Sequence, residues 1–188
     1  GEPFNRKELL DITAEMEGHP DNAAPAILGG FCMALIENGN VVAERIDIPS
    51  QWKAVVAIPD FELHTEKARA VLPASYVRSD VVHNIGAVSF LMAAFMYKKP
   101  EYLKFGLDDH VHVPYRLGLI PGSEEVIRSS VKAGAYGATI SGSGPTIIAF
   151  SPSDKAHLVG ESMVSTFKHH GITSSYIVLD FDQSGISA

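Results

Sequence analysis

The run Glu17-Gly18-His19-Pro20-Asp21-Asn22 sets a carboxylate, an imidazole, a second carboxylate and a carboxamide within six residues. Ala23-Ala24-Pro25-Ala26-Ile27-Leu28 follows, closed by Gly29-Gly30. Polar groups at that density, placed just before an apolar run, do not belong to a core. Asp21 and Asn22 have the side-chain oxygens to cap the next helix by accepting from its free N–H groups. Capping does not account for His19 and Glu17 beside them. A helix start flanked by His, Asp and Asn also suits a polar ligand carrying both charge signs. Two histidine pairs stand elsewhere. His110 and His112 alternate on an extended segment, and His169-His170 close a helix. Neither pair has a Cys or carboxylate at ligand spacing, so no metal is assigned to either.

The elements that must carry these groups are readable from periodicity. Residues 6–17 form a helix with Leu9, Leu10 and Thr13 on one side and Asn5 as its cap. Residues 20–28 form a short helix with proline in its first turn. Residues 31–36 and 41–46 flank Glu37-Asn38-Gly39-Asn40, and the Asn-Gly pair supplies the positive φ of a hairpin turn. Pro49-Ser50 reads as a linker, dividing 1–48 from 52–188. Residues 52–58 are apolar enough for a central strand. A short helix over 65–72 ends at Pro73. The apolar run 81–96 reads as a buried helix capped by Ser79 or Asp80, too short and too polar to span a bilayer. Residues 101–109 make another short helix, and 110–121 is irregular. A helix begins at Ser123 with Glu124 and Glu125 suiting its dipole. A glycine-rich passage leads to a strand at 146–150. A helix capped by Ser153 or Asp154 runs to about His170, with Gly171 after it. A last strand over 176–182 turns Ile177, Leu179 and Phe181 inward. Strand-helix-strand pairs of this kind give an α+β fold.

Composition narrows the function classes. At 188 residues and a net charge of −7, the chain can bury a good core and is not a general binder of nucleic acid phosphates. Its one cysteine, Cys32, lies in an apolar, strand-like context and forms no internal disulfide, which fits a reducing cytoplasm. The opening is charged and polar, unlike a secretory signal, and no membrane association is expected.

Two runs together resemble the homoserine kinases of the GHMP small-molecule kinase superfamily. One is Glu17-Gly18-His19-Pro20-Asp21-Asn22-Ala23-Ala24-Pro25-Ala26. The other is Gly142-Ser143-Gly144-Pro145-Thr146, followed by the apolar Ile147-Ile148-Ala149-Phe150. The resemblance extends over nearly the whole chain. It implies a ferredoxin-like GHMP kinase C-terminal domain over 52–188, and over 1–48 the tail end of the N-terminal α+β domain. It implies transfer of a phosphoryl group from ATP, with Mg²⁺, to the hydroxyl of L-homoserine in threonine biosynthesis.

Site residues follow by the same resemblance. His19, Asp21 and Asn22 match the substrate-binding run, with Asp21 suited to the substrate ammonium. Thr65-Glu66-Lys67-Ala68-Arg69 resembles the family's Thr-x-x-Ala-Arg segment. Thr65 and Arg69 are then catalytic, with Arg69 pairing a carboxylate or the γ-phosphate. Arg116, in Pro114-Tyr115-Arg116, becomes the clamp on the substrate carboxylate. Taken singly, either arginine reads more readily as a surface ion pair; both falling at family positions reverses that. Ser141, Gly142, Ser143, Gly144, Pro145 and Thr146 make the third GHMP motif, whose glycines let backbone approach a ligand closely. A tight turn between helix and strand would itself require those glycines. Glu17 is the Mg²⁺ ligand, with Glu15 as the alternative.

The family's phosphate loop, Pro-x-x-x-Gly-Leu-Gly-Ser-Ser-Ala, has no counterpart before Glu17, where Gly1 is the one glycine. The chain therefore reads as the C-terminal two-thirds of a kinase, inactive alone, whose partner is the missing N-terminal segment. An exposed edge on the first hairpin leaves room for a homodimer. Two alternatives stay open: another GHMP kinase with a different alcohol substrate, and a non-catalytic binding or regulatory module without the phosphate loop.

Overall fold

The computed structural model describes residues 4–186, which fall into two compact units: 4–49 with 181–186, and Ser50–Asp180.

The first unit opens with α1 (Arg6–Glu17), whose start is fixed by a capping box. Asn5 Oδ1 accepts from the Glu8 N–H at 3.0 Å, and Glu8 Oε2 accepts from the Asn5 N–H at 2.9 Å. Gly18 ends it in the left-handed conformation. The short α2 (Ala23–Leu28) follows, then β1 (Phe31–Glu37) and β2 (Asn40–Ile46). These strands form the expected hairpin, with Glu37 opposite Asn40 and positive φ at Asn38 and Gly39. Leu10, Ala14, Ala23, Ala24, Ile27 and Val41 make its core. Asp11 ties helix to hairpin by accepting from the Val41 N–H at 2.8 Å. Residues 181–186 pack here rather than with the second unit, where the sequence reading placed them. The cause is polar pairing: the Gln183 carboxamide accepts from the Ile48 N–H and donates to the Ile48 carbonyl, each at 3.1 Å, and the Asp182 carbonyl accepts from the Gly30 N–H at 2.7 Å.

The second unit is built on β3 (Trp52–Pro59). Its elements continue as α3 (Thr65–Ala70), α4 (Arg78–Met96), a 3₁₀ turn (Pro100–Tyr102), α5 (Leu103–Gly106), α6 (Val113–Leu117), α7 (Ser123–Lys132), β4 (Gly137–Ile140), β5 (Ile147–Pro152), α8 (Ala156–His169) and β6 (Ser174–Leu179). The strands form one antiparallel sheet in the order β4-β5-β3-β6. One face is covered by α7 and α8, burying Val55, Ala57, Ile147, Ala149, Val126, Val159, Met163 and Phe167. On the other face Trp52 and Phe150 meet Phe95 of α4, with ring centroids 5.6 and 5.9 Å apart. This mixed arrangement is the α+β fold that the sequence pattern implies.

Several expectations are corrected. Residues 137–140 form a strand, so the glycine-rich passage is a β4–β5 connection and not a helix-to-strand turn. The stretch 110–121 contains α6. The last strand has the opposite phase: Tyr176 and Val178 pack on the core, while Ile177 and Leu179 are about half exposed on the face that α8 does not cover. Neither Ser153 nor Asp154 caps α8, and neither Ser79 nor Asp80 caps α4; Ser153 Oγ donates instead to the Gln51 carbonyl. The largest departure is α4. It is expected to be buried and too short and polar for a bilayer. At 19 residues and mean hydropathy 1.3 it has the length and composition of a membrane span, and it is mostly exposed. It buries Ala87, Ala94 and Phe95, while Val81, Val82, Ile85, Val88 and Phe90 stay exposed. A helix apolar on every side cannot bury all of them against a single layer of neighbours.

The α8–β6 contact is a stringent one. A Cβ at Gly160 would fall inside the Tyr176 ring, which is held in turn by a 3.3 Å hydrogen bond to His157 Nδ1. Alanine gains about 1 kcal/mol in helix propensity. Overpacking at a fixed aromatic ring costs roughly 1–3 kcal/mol. Gly160→Ala is therefore expected to lower stability by about 1 kcal/mol in urea unfolding. A stabilised variant would show that the ring moves aside freely.

Candidate functional site

In the first unit, the 17–22 run lies between α1 and α2. Asn22 is the residue before α2, yet its side chain makes no capping hydrogen bond. Asp21 turns back instead. Its Oδ1 accepts from the Asn22 N–H at 3.1 Å and lies 2.5 Å from His19 Nδ1. The two acidic candidates, Glu15 and Glu17, are exposed at the end of α1. Two positions apart on a helix, they point in different directions and cannot act on the same ion. Carboxylates in a last turn sit at the negative end of the helix dipole, so a cation there is favoured. One exposed carboxylate with room for water is what Mg²⁺ needs from a protein. The geometry fits either residue and does not separate them.

In the second unit, three segments distant in sequence meet around Arg116. This residue is the fourth of α6. Its Nε donates to the Ala68 carbonyl of α3 at 3.3 Å, and its Nη1 donates to the Gly142 carbonyl at 3.1 Å. Thr65, at the first position of α3, lies 3.4 Å from Ser143 between hydroxyl oxygens. Thr65, Arg116 and the 141–146 loop are thus joined directly. Arg69 is exposed on α3, one residue beyond the fully buried Ala68.

The loop is shaped by its glycines. Gly142 and Gly144 have φ of 59° and 85°. A Cβ at Gly144 would come within 2.8 Å of Ile120 Cδ1, whereas one at Gly142 would meet nothing within 4 Å. Gly144 is therefore required for packing, and Gly142 presents open backbone. The Ser141 N–H donates to the Thr146 carbonyl at 2.8 Å, and the Gly144 N–H to the Ser141 carbonyl at 3.0 Å, closing the turn.

A cleft of about 400 Å³ opens beside the loop. Thr65, Pro145 and Thr146 line it, together with Phe61, Glu62 and His64. The sequence pattern assigns no role to Glu62 and His64, which lie between the strand at 52–58 and the helix at 65–72. Their position just ahead of Thr65 was the available signal. The pattern also misses Asn84 and Asp109, which build the start of α6. Asp109 Oδ1 accepts from the N–H groups of Val111 at 2.5 Å and His112 at 2.8 Å, and from the Asn84 amide at 3.3 Å. Asn84 Oδ1 in turn accepts from the His110 N–H at 2.7 Å. Burial raises the Asp109 carboxyl; the two backbone N–H groups and the Asn84 amide outweigh it and hold the group below the usual carboxylate value.

Residues 103–169, running from α5 into α8, match the family of GHMP kinase C-terminal domains. The chain is 44% identical over 98% of its length to a homoserine kinase from Carboxydothermus hydrogenoformans, and 40% identical over 98% to one from Desulfitobacterium hafniense. It spans about 60% of the length of these relatives. In three dimensions it matches the crystal structure of homoserine kinase from Cytophaga hutchinsonii with a TM-score of 0.91 and 32% identity, covering 98% of this chain and 61% of that one. Sequence and three-dimensional comparison thus agree: residues 103–169 match the GHMP kinase C-terminal domain, and nearly the whole chain is similar to homoserine kinases.

Proposed function

We propose that the chain is the larger, C-terminal part of a homoserine kinase that transfers the γ-phosphoryl of ATP to the side-chain hydroxyl of L-homoserine in the cytoplasm. The observation that carries this reading is the junction of Arg116, Thr65 and the Gly142-Ser143 loop. It gathers a planar cation, a hydroxyl and open backbone at one place, a set suited to anionic groups. Residues 4–49 are, on this reading, the trailing part of the N-terminal domain. The remaining length of the relatives would supply the phosphate cradle.

The roles follow from donor chemistry. Asp21, aimed by His19, takes the substrate ammonium, and Asn22 offers both donor and acceptor to it. Arg116 takes the substrate carboxylate. Its bonds to Ala68 and Gly142 use Nε and Nη1; among the described residues Nη2 makes no hydrogen bond, so part of the fork faces outward. Arg69 neutralises developing charge on the transferred group, and Thr65 orients it. Bound Mg²⁺, held by Glu17 or Glu15, would neutralise phosphate charge. Among the described residues, none is assigned as a general base on the hydroxyl. Positioning and charge neutralisation carry the rate, as is general for phosphoryl transfer.

The first test uses Asp21→Ala in the protein at the relatives' full length. The loss should appear in kcat/KM for homoserine, by roughly 2–4 kcal/mol, with ATP affinity little changed. Loss of ATP affinity with homoserine kinetics intact would move Asp21 to the nucleotide side.

Arg116→Lys tests the clamp. Lysine has one nitrogen and no fork, so it cannot hold Ala68, Gly142 and a carboxylate together. The homoserine KM should rise by roughly tenfold, about 1.4 kcal/mol. Stability should fall by about 1 kcal/mol for the lost backbone bonds. An analogue without the carboxylate should be used equally badly by both proteins. Homoserine kinetics within about twofold of wild type would exclude the clamp.

A further inference from the structure

Apart from these residues, the structure assembles a second set of donors where the start of α4 meets the loop after α5. His83 Nε2 lies 3.0 Å from Asp108 Oδ2, and His110 Nε2 lies 3.8 Å from Asp108 Oδ1. One ligand atom from each of the three residues falls within 4.8 Å of the others. The imidazole rings are stacked, with centroids 3.8 Å apart and planes 12° from parallel. Behind them, His110 Nδ1 faces Asp80 Oδ1 at 3.5 Å. His110 therefore meets Asp108 with one nitrogen and a second carboxylate with the other. The sequence paired His110 with His112 and found no ligand set. The fold pairs it with His83, 27 positions earlier, and sets Asp108, two residues before His110, against both imidazoles.

We propose that His83, Asp108 and His110 bind a divalent transition-metal ion of the zinc class. Two imidazoles and one carboxylate are the donors that Zn²⁺ and its neighbours in the first row take. A tetrahedral ion about 2.0–2.1 Å from each donor sets donor separations of roughly 3.3 Å. The 3.0 and 3.8 Å gaps to Asp108 bracket that value, and turning the two stacked rings out of parallel, so that both nitrogens converge on the ion, completes the site. Asp80 supplies the outer carboxylate that orients a ligating histidine and fixes which nitrogen faces the ion. The backbone is set in advance. Asn84, next to His83 on α4, holds the His110 N–H and the Asp109 carboxylate, which locks the loop against the helix. Three protein ligands leave the remaining coordination position to water, and the partly exposed donors give the ion a way in. Mg²⁺, which prefers oxygen ligands and octahedral geometry, is a poor match. The site is thereby separate from any ion used in phosphoryl transfer.

The test is calorimetric titration of the chain with Zn²⁺ in the presence of excess Mg²⁺, alongside Co²⁺ as a visible-absorbance probe. One ion should bind per chain, with a tetrahedral Co²⁺ spectrum that Zn²⁺ abolishes. His83→Ala and His110→Ala should each weaken binding by tenfold or more, and Asp80→Asn by about tenfold. All three positions are at least partly exposed, and circular dichroism of the metal-free variants should match wild type. Absence of saturable binding would overturn the proposal. So would Zn²⁺ affinity unchanged in both histidine variants, which would place the ion on other histidines, or displacement of Zn²⁺ by Mg²⁺.

Discussion

The guanidinium of Arg116 is the constraint on which the candidate site depends. Two of its nitrogens end on backbone carbonyls, Ala68 of α3 and Gly142 of the β4–β5 connection, so one side chain fixes the distance between two segments that share no strand pairing. Such bonds have a cation as donor and are stronger than neutral ones. They fix α3 as a unit, because Ala68 is wholly buried beside the exposed Arg69. Thr65, one turn earlier, then arrives opposite Ser143. Arg116 is itself aimed by α6, a helix too short to stand alone. Asp109 holds its start by taking two backbone N–H groups, and Asn84 holds Asp109. The order of dependence thus runs from a helix far upstream, through a carboxamide and a carboxylate, to the residue assigned to the substrate.

Much of the fold was legible because its signals are local. Asn5 with Glu8, and Asn38-Gly39, are capping and turn chemistry complete within four residues. The nearly continuous apolar stretch of β3 marked a strand with neighbours on both sides. What escaped depends on partners elsewhere. β4 is four residues long and begins with Gly137, which reads as a loop until β5 is there to pair with it. The phase of β6 was misread because Tyr176, Ile177, Val178 and Leu179 are all apolar. Only the position of α8 decides which pair faces in. α4 has no polar face, so periodicity could not show which side meets the sheet, or that so little of it would.

The candidate site divides in the same way. Arg116, Thr65 and the 141–146 loop were named from separate motifs, and the structure joins them within one unit. That juxtaposition was not in the spacing, since 76 positions separate Thr65 from Ser141. Near Asp21 and Asn22 the simpler alternative was capping of α2. The Asn22 side chain makes no capping bond, and Asp21 Oδ1 accepts from the Asn22 N–H with His19 Nδ1 beside it. A carboxylate not committed to capping helix N–H groups keeps lone pairs for a ligand. Glu62 and His64 lie in the 59–64 turn, whose residues carry no periodicity; the cleft alone picks them out.

Asp108 and Asp109 show how one short loop can serve two ends. They are adjacent, yet Asp109 turns inward to backbone N–H groups while Asp108 lies exposed beside two imidazoles. The inward carboxylate does the ordering. Once Asn84 and Asp109 have fixed the backbone from 109 to 112, His110 stands against His83 without further loss of chain freedom. A ligand for the outward groups then meets a surface already arranged, and its binding is not diminished by loop ordering. The same economy explains why Arg116 can be both structural and available. The folding of α6 settles its direction, and two of its donors complete that settlement, leaving the fork in place in advance for the carboxylate proposed as its ligand.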